Sequence, residues 1–160
     1  MLLSLELYVM LVLANGAPVV AARILGERWD QPVDGNRLWS DRRPVLGSSK
    51  TWRGLVSGCL ACALFSLVTG LGFLFGALFG FLGLLGDMIS SFVKRRMGLQ
   101  SSARALGLDQ IPEAVLPMIL AIFWLPVGWG SALLVVVLFT LSNILLSPLL
   151  HQLGIRDRPH

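Results

Sequence analysis

The sequence predicts an all-α integral membrane protein of five transmembrane helices, and three observations predict it. Of the 160 residues, 55% are hydrophobic and only 14% charged, with a mean hydropathy of +0.75. That leaves too little polar surface to cover a soluble domain. Long uncharged runs recur at Leu7–Ala22, Leu55–Thr69, Phe73–Val93, Ala114–Leu125 and Ser131–Leu150. Finally, a five-span chain with its N-terminus outside places all 13 basic residues on one face, in Arg23–Arg53, Lys94–Arg104 and Arg156–Arg158. Cytoplasmic loops carry that excess, so the C-terminus is expected inside.

The elements follow from the breaks between the runs. Leu55–Val93 is too long for one span of ~20 residues, and TGLG at Thr69–Gly72 is its natural turn. PVGWG at Pro126–Gly130 divides the last apolar stretch in the same way. A single transmembrane domain over 1–160 results, with spans at about 3–24, 54–69, 72–94, 111–126 and 130–150 and cytoplasmic loops at about 25–53 and 95–110. The first span carries no basic residue ahead of its apolar run and no clear cleavage site, so it is expected to be uncleaved. Its ANGAP stretch, Ala14–Pro18, predicts a kink that turns Asn15 toward either a headgroup or a neighbouring carbonyl.

The net charge of +4 is a cytoplasmic rim beside anionic headgroups and does not indicate nucleic-acid binding. Cys59 and Cys62 form a C-x-x-C with no histidine or further cysteine nearby, so they read as small packing residues.

The chemistry concentrates in GDMISSFVKRR, Gly86–Arg96, and in Asp109 beyond it. Asp87 is the only acidic residue between Leu55 and Val93, and a carboxylate inside hydrocarbon is expensive enough to imply function. On a helix Asp87, Ser90 or Ser91, and Lys94 share one face, with Asp87 roughly 10 Å deeper than Lys94. Gly83, Gly80, Gly76 and Gly72 continue that face as a row that admits a neighbouring helix. Two carboxylates from consecutive helices, ringed by Lys50, Arg53, Lys94 and Arg95, suit Mg²⁺ and a triphosphate. The alternative is that Asp87 and Asp109 only neutralise those cations, with Lys94–Arg96 serving as a topological stop.

The longest polar segment holds two turns, at Asp34–Asn36 and Ser40–Pro44, and ends in a Gly-Ser-Ser-Lys-Thr loop that opens a helix near Thr51. Such a loop offers N–H groups, hydroxyls and an ammonium to phosphate, or serves simply as a basic anchor. It is not a P-loop, because it lacks the second glycine and the preceding strand.

GSSKTWRG at Gly47–Gly54, GDMISSFVKRRMG at Gly86–Gly98 and LDQ at Leu108–Gln110 together resemble the CDP-archaeol synthase family, a small membrane branch related to CDP-diacylglycerol synthase. The resemblance extends to ANGAP, to Pro32–Asp34 and to Asp41–Arg43. It implies Mg²⁺-dependent transfer of a cytidylyl group from CTP to a lipid phosphate, releasing pyrophosphate. It implies that Asp87 and Asp109 hold the metal, with Asp87, Lys94 and Asp109 catalytic. Asp34, Asp41, Arg43, Lys50, Thr51, Arg53, Lys94 and Arg95 would then meet CTP and its phosphates. Two departures stand out: Pro112 and Glu113 occupy the place of a second acidic residue three after Asp109, and GNRLWSD is poorer in glycine than the family pattern.

That chemistry needs no strong base, since an ionised lipid phosphate is already a nucleophile. The chain accordingly offers carboxylates and cations, and its two histidines, His151 and His160, lie at the tail. A CDP-diacylglycerol-type synthase acting on phosphatidate, a transporter using Asp87, or a structural subunit are the alternatives. Five spans without an internal repeat disfavour the transporter. Isoprenoid ether and acyl ester acceptors both need only an apolar groove, and the sequence distinguishes neither them nor an oligomeric state.

Overall fold

The computed structural model describes residues 1–100 and 108–152, the side chains as far as Leu145. Five helices follow one another: α1 Leu2–Leu25, α2 Trp52–Val68, α3 Phe73–Arg96, α4 Gln110–Trp124 and α5 Trp129–Gln152. α1 and α3 are long and apolar enough to cross a membrane, while α2, α4 and the described Trp129–Leu145 part of α5 are shorter apolar helices. At ~1.5 Å per residue the 15-residue α4 covers only ~22 Å, less than a ~30 Å hydrocarbon core.

α3 is the hub, packing on α1, α2 and α4, while α5 closes the bundle against α1 and α4. Its glycines set those crossings. Gly76 and Gly80 lie against α2, where an added Cβ would stand 2.8 Å from the Ala63 Cα and 3.0 Å from the Cys62 Cβ respectively. Gly83 and Gly86 face α4 instead, and a Cβ at Gly86 would come 2.6 Å from the Glu113 backbone nitrogen. The expected row therefore serves two neighbours. Gly72 is not part of it: with φ 95° it caps α3 in the turn, and a Cβ there would meet nothing within 4 Å.

Leu7, Met10 and Leu11 of α1, Phe75 and Phe79 of α3, Met118 of α4 and Phe139 of α5 form the fully buried centre. Tyr8 donates to Ser142 at 2.9 Å, a polar link between α1 and α5. Pro18 lies inside α1, which continues to Leu25, and packs its ring 3.4 Å from where a Gly54 Cβ would sit. Cys62 is buried and donates its thiol to the Met10 carbonyl, which makes it a packing residue; both cysteines are free.

The segment between α1 and α2 folds back on itself. Val33 donates to the Lys50 carbonyl and Trp52 to that of Gln31, forming an antiparallel bridge of Pro32 with Thr51. A second bridge, Leu38 with Pro44, closes a small hairpin around Ser40–Arg42. Asn36 and Arg42 take the left-handed conformation at its two turns, consistent with the turn chemistry of Asp34–Asn36 and Ser40–Pro44.

Candidate active site

Thr51 caps α2: it is extended (φ −112°, ψ 152°), and its hydroxyl accepts from the Gly54 N–H. That cap and the Pro32–Thr51 bridge fix the backbone of Lys50. Its ammonium reaches α3, with Nζ 2.5 Å from Asp87 Oδ2. Two helical turns later Lys94 lies 2.6 Å from Asp109 Oδ1, at the head of α4. Asp109 is in helical conformation and makes no side-chain capping bond, so its carboxylate is turned to the lysine instead. Each carboxylate thus has its own lysine, and the four residues run from the start of α2 along the C-terminal half of α3 to the head of α4.

Burial supports the inward direction of that face. Ser90 and Ser91 are fully enclosed, Ser90 donating to the Gly86 carbonyl one turn back, and Lys94 is 7% exposed. Asp87 keeps a quarter of its side chain accessible, enough for a ligand to reach. Glu113, the acidic residue at the departure from the family pattern, is buried in the first turn of α4 at the contact with Gly83 and Gly86.

Other residues with expected phosphate roles have structural partners. Arg53 is turned away from Asp87: it donates to the carbonyls of Gly26 and Arg28 and pairs with Asp30 at 2.7 Å, tying the end of α1 to the start of α2. The reason is position: Lys50 precedes the Thr51 cap in non-helical chain, whereas Arg53 lies in the first turn of α2, beside the end of α1. Asp34 accepts from the N–H groups of Asn36, Leu46 and Gly47. Burial pushes its carboxyl up, but these bonds outweigh that and hold it below the usual carboxylate range.

Arg43 donates to the carbonyls of Arg95 and Arg96, satisfying the exposed end of α3. Arg96 answers by pairing with Asp41 at 2.6 Å, donating to the carbonyls of Arg43 and Pro44, and lying 5.0 Å over the Phe92 ring. Trp39 meets the same ring edge-on at 5.3 Å. This clasp docks the hairpin on α3, and Arg95, 5% exposed, donates to the Leu99 carbonyl beside it. Sequence reasoning missed the clasp; the Phe92–Arg96 spacing of four was the available signal.

The family model described as CarS-like, CDP-archaeol synthase, matches residues 1–160. The chain belongs to the CDP-archaeol synthase family. A CDP-archaeol synthase of Methanosphaerula palustris is 35% identical, the match covering 80% of this chain and 89% of that protein. The Methanopyrus kandleri synthase is 39% identical over 72% and 73%. The Thermococcus kodakarensis synthase is 38% identical over 61% of this chain and 60% of its own length. Matches to further Thermococcus and Hyperthermus synthases likewise span about three-fifths of those relatives. A solved structure, described as an intramembrane enzyme for archaeal membrane lipids biosynthesis, superposes with a TM-score of 0.73 at 28% identity. The superposition covers 90% of this chain and 92% of that one.

Proposed function

We propose that this CDP-archaeol synthase family chain is a multi-pass membrane cytidylyltransferase that joins CTP to a lipid phosphate and releases pyrophosphate, with its site on the cytoplasmic side. The observation that carries the reading is the double pairing of Lys50 with Asp87 and Lys94 with Asp109 along α3, which packs on both α2 and α4. Family membership and the intramembrane neighbour support the chemistry and the setting. All five helices are taken as spans, the shorter ones completed by flanking residues, with the N-terminus outside.

The donor set fits Mg²⁺. Among the described residues no group of three or more His, Cys, Asp or Glu is placed to form an all-protein metal cage. Mg²⁺ does not need one: it keeps waters and is held by one or two carboxylates together with substrate phosphates. Asp87 and Asp109 would hold it, and when bound it would neutralise charge on the triphosphate.

This chain's residues do the remainder. Lys50 and Lys94, each within reach of a carboxylate, supply the positive charge that phosphate oxygens need, and Lys94 does so from a nearly water-free position. The lipid phosphate oxygen forms a bond to the α-phosphorus of CTP while the bond from that phosphorus to the bridging oxygen breaks, and pyrophosphate leaves. No side chain has to take a proton, so alignment and charge neutralisation carry the catalysis. Asp41, Arg43 and Arg96 hold the hairpin that carries Lys50 at its base.

The acceptor is proposed to be an archaeol-type isoprenoid ether phosphate, in keeping with the family. CTP labelled separately at its α- and γ-phosphates tests the reaction on purified protein with Mg²⁺ and lipid phosphate. The α-label is expected in lipid and the γ-label in pyrophosphate. Absence of lipid label with CTP and lipid both present removes the reading.

A further inference from the structure

Residues 31–39, Val45 and Trp52 line an open concavity of about 850 Å³ on the hairpin, beside Lys50 but not containing it. Its rim is apolar and accessible: Leu38 is 62% exposed, and Trp39 and Trp52 are each 51% exposed. The cation in it is Arg37. Among the described residues the ion pairs are Lys50–Asp87, Arg53–Asp30, Lys94–Asp109 and Arg96–Asp41, and Arg37 takes part in none. Asp34 also lines the concavity, but its carboxylate is engaged by the N–H groups of Asn36, Leu46 and Gly47. Exposed Ile24, Trp29 and Met97 ring the same end of the helices, where a bilayer surface meets the proposed spans.

We propose that this concavity binds the headgroup phosphate of an anionic lipid, with Arg37 meeting the phosphate and Leu38, Trp39, Val45 and Trp52 contacting the first methylenes. A free nucleotide would not require so much exposed apolar rim, whereas tryptophan flanked by arginine is the combination that settles at the headgroup level. The site would hold anionic lipid beside Lys50 without belonging to the transfer chemistry. It rests on the membrane placement proposed above.

The test uses full-length protein in nanodiscs of zwitterionic lipid, with or without phosphatidylglycerol brominated near the headgroup. Tryptophan quenching is read in a Trp29→Phe/Trp124→Phe/Trp129→Phe background, which leaves Trp39 and Trp52. Brominated anionic lipid is expected to quench both, and Arg37→Gln is expected to lower the apparent affinity about fivefold, the effect of ~1 kcal/mol from one arginine near a charged surface. Equal quenching by brominated anionic and zwitterionic lipid, or an unchanged affinity in folded Arg37→Gln, overturns the site. So does relief of quenching by inorganic phosphate alone, which would mark a free-phosphate site, or by CTP alone, which would assign the concavity to nucleotide. A companion protein retaining only Trp124 and Trp129 reports bundle immersion: if these are quenched by lipid while Trp39 and Trp52 are not, the lipid site fails and the membrane placement stands.

Discussion

Lys50 Nζ stands 2.5 Å from Asp87 Oδ2, so the residue before the cap of α2 is held to a carboxylate in the C-terminal half of α3. The two side chains keep 20% and 25% of their surface accessible, so water screens the pair and its worth is modest. A double-mutant cycle of Lys50→Met and Asp87→Asn, followed by denaturant unfolding in detergent, should give a coupling of about 1 kcal/mol. Asp87→Asn alone should remain folded. Strictly additive effects would mean that the two groups do not meet in the resting protein.

The glycines of one chain should respond in opposite ways. A Cβ at Gly86 would collide with the Pro112–Glu113 backbone, which cannot move aside as a flexible side chain could, so Gly86→Ala should cost at least ~1–3 kcal/mol. Gly16 is within α1 and a Cβ there would meet nothing within 4 Å, so Gly16→Ala should stabilise by roughly 0.5–1 kcal/mol. Melting temperatures of the two variants should move apart from the wild type, down for the first and up for the second. A shared direction would contradict the crossing at Gly86.

Positions 94 and 96 separate a site charge from a docking charge. Arg96→Lys loses the planar fork that bonds Asp41, Arg43 and Pro44, and amide exchange at Trp39 and Val45, which close the hairpin, should speed up. Lys94→Arg leaves those contacts in place but puts a wide guanidinium where a buried ammonium meets Asp109. It should leave hairpin exchange unchanged and lower transfer about tenfold, ~1.4 kcal/mol of transition-state stabilisation. Faster hairpin exchange in Lys94→Arg would show that the two positions are not separable.

Much of the helix order was legible because hydrophobic runs are strong signals. The turn at Thr69–Gly72, the cap at Thr51 and the inward face of Asp87, Ser90, Ser91 and Lys94 follow from periodicity and side-chain chemistry. What could not be read was which partner each arginine takes. Arg53 and Arg95 look alike as cations near the site, yet Arg53 serves the Gly26–Asp30 segment and Arg95 a carbonyl four residues on, because a guanidinium is drawn to whatever backbone acceptors the fold leaves open. The Arg43–Arg96 clasp depends on the hairpin's long-range return to α3, which no local pattern specifies. Ser101 and the rest of the stretch before Leu108, read as part of a cytoplasmic loop, lie outside the described residues, as do residues 153–160.

Orientation has its own test. Cysteines introduced at Leu71 and Gly128, the turns opposite the basic segments, should react with an impermeant maleimide added outside intact cells, and one at Ser48 should not. Cys62 is fully buried and Cys59 half-buried, so the native thiols contribute little background. Labelling at Ser48 alone would invert the chain and move the site to the other face.

The central claim is that Asp87 acts through its charge in phosphoryl transfer rather than by neutralising Lys50. The direct measurement is transfer of α-labelled cytidylyl to lipid by Asp87→Asn, in protein shown by its melting temperature to be folded. The amide keeps the shape and removes the charge. A loss of about a hundredfold or more, roughly 2.7 kcal/mol of transition-state stabilisation, is expected. Transfer within about twofold of wild type would contradict the account, leaving Asp87 as the counterion of Lys50 and no more.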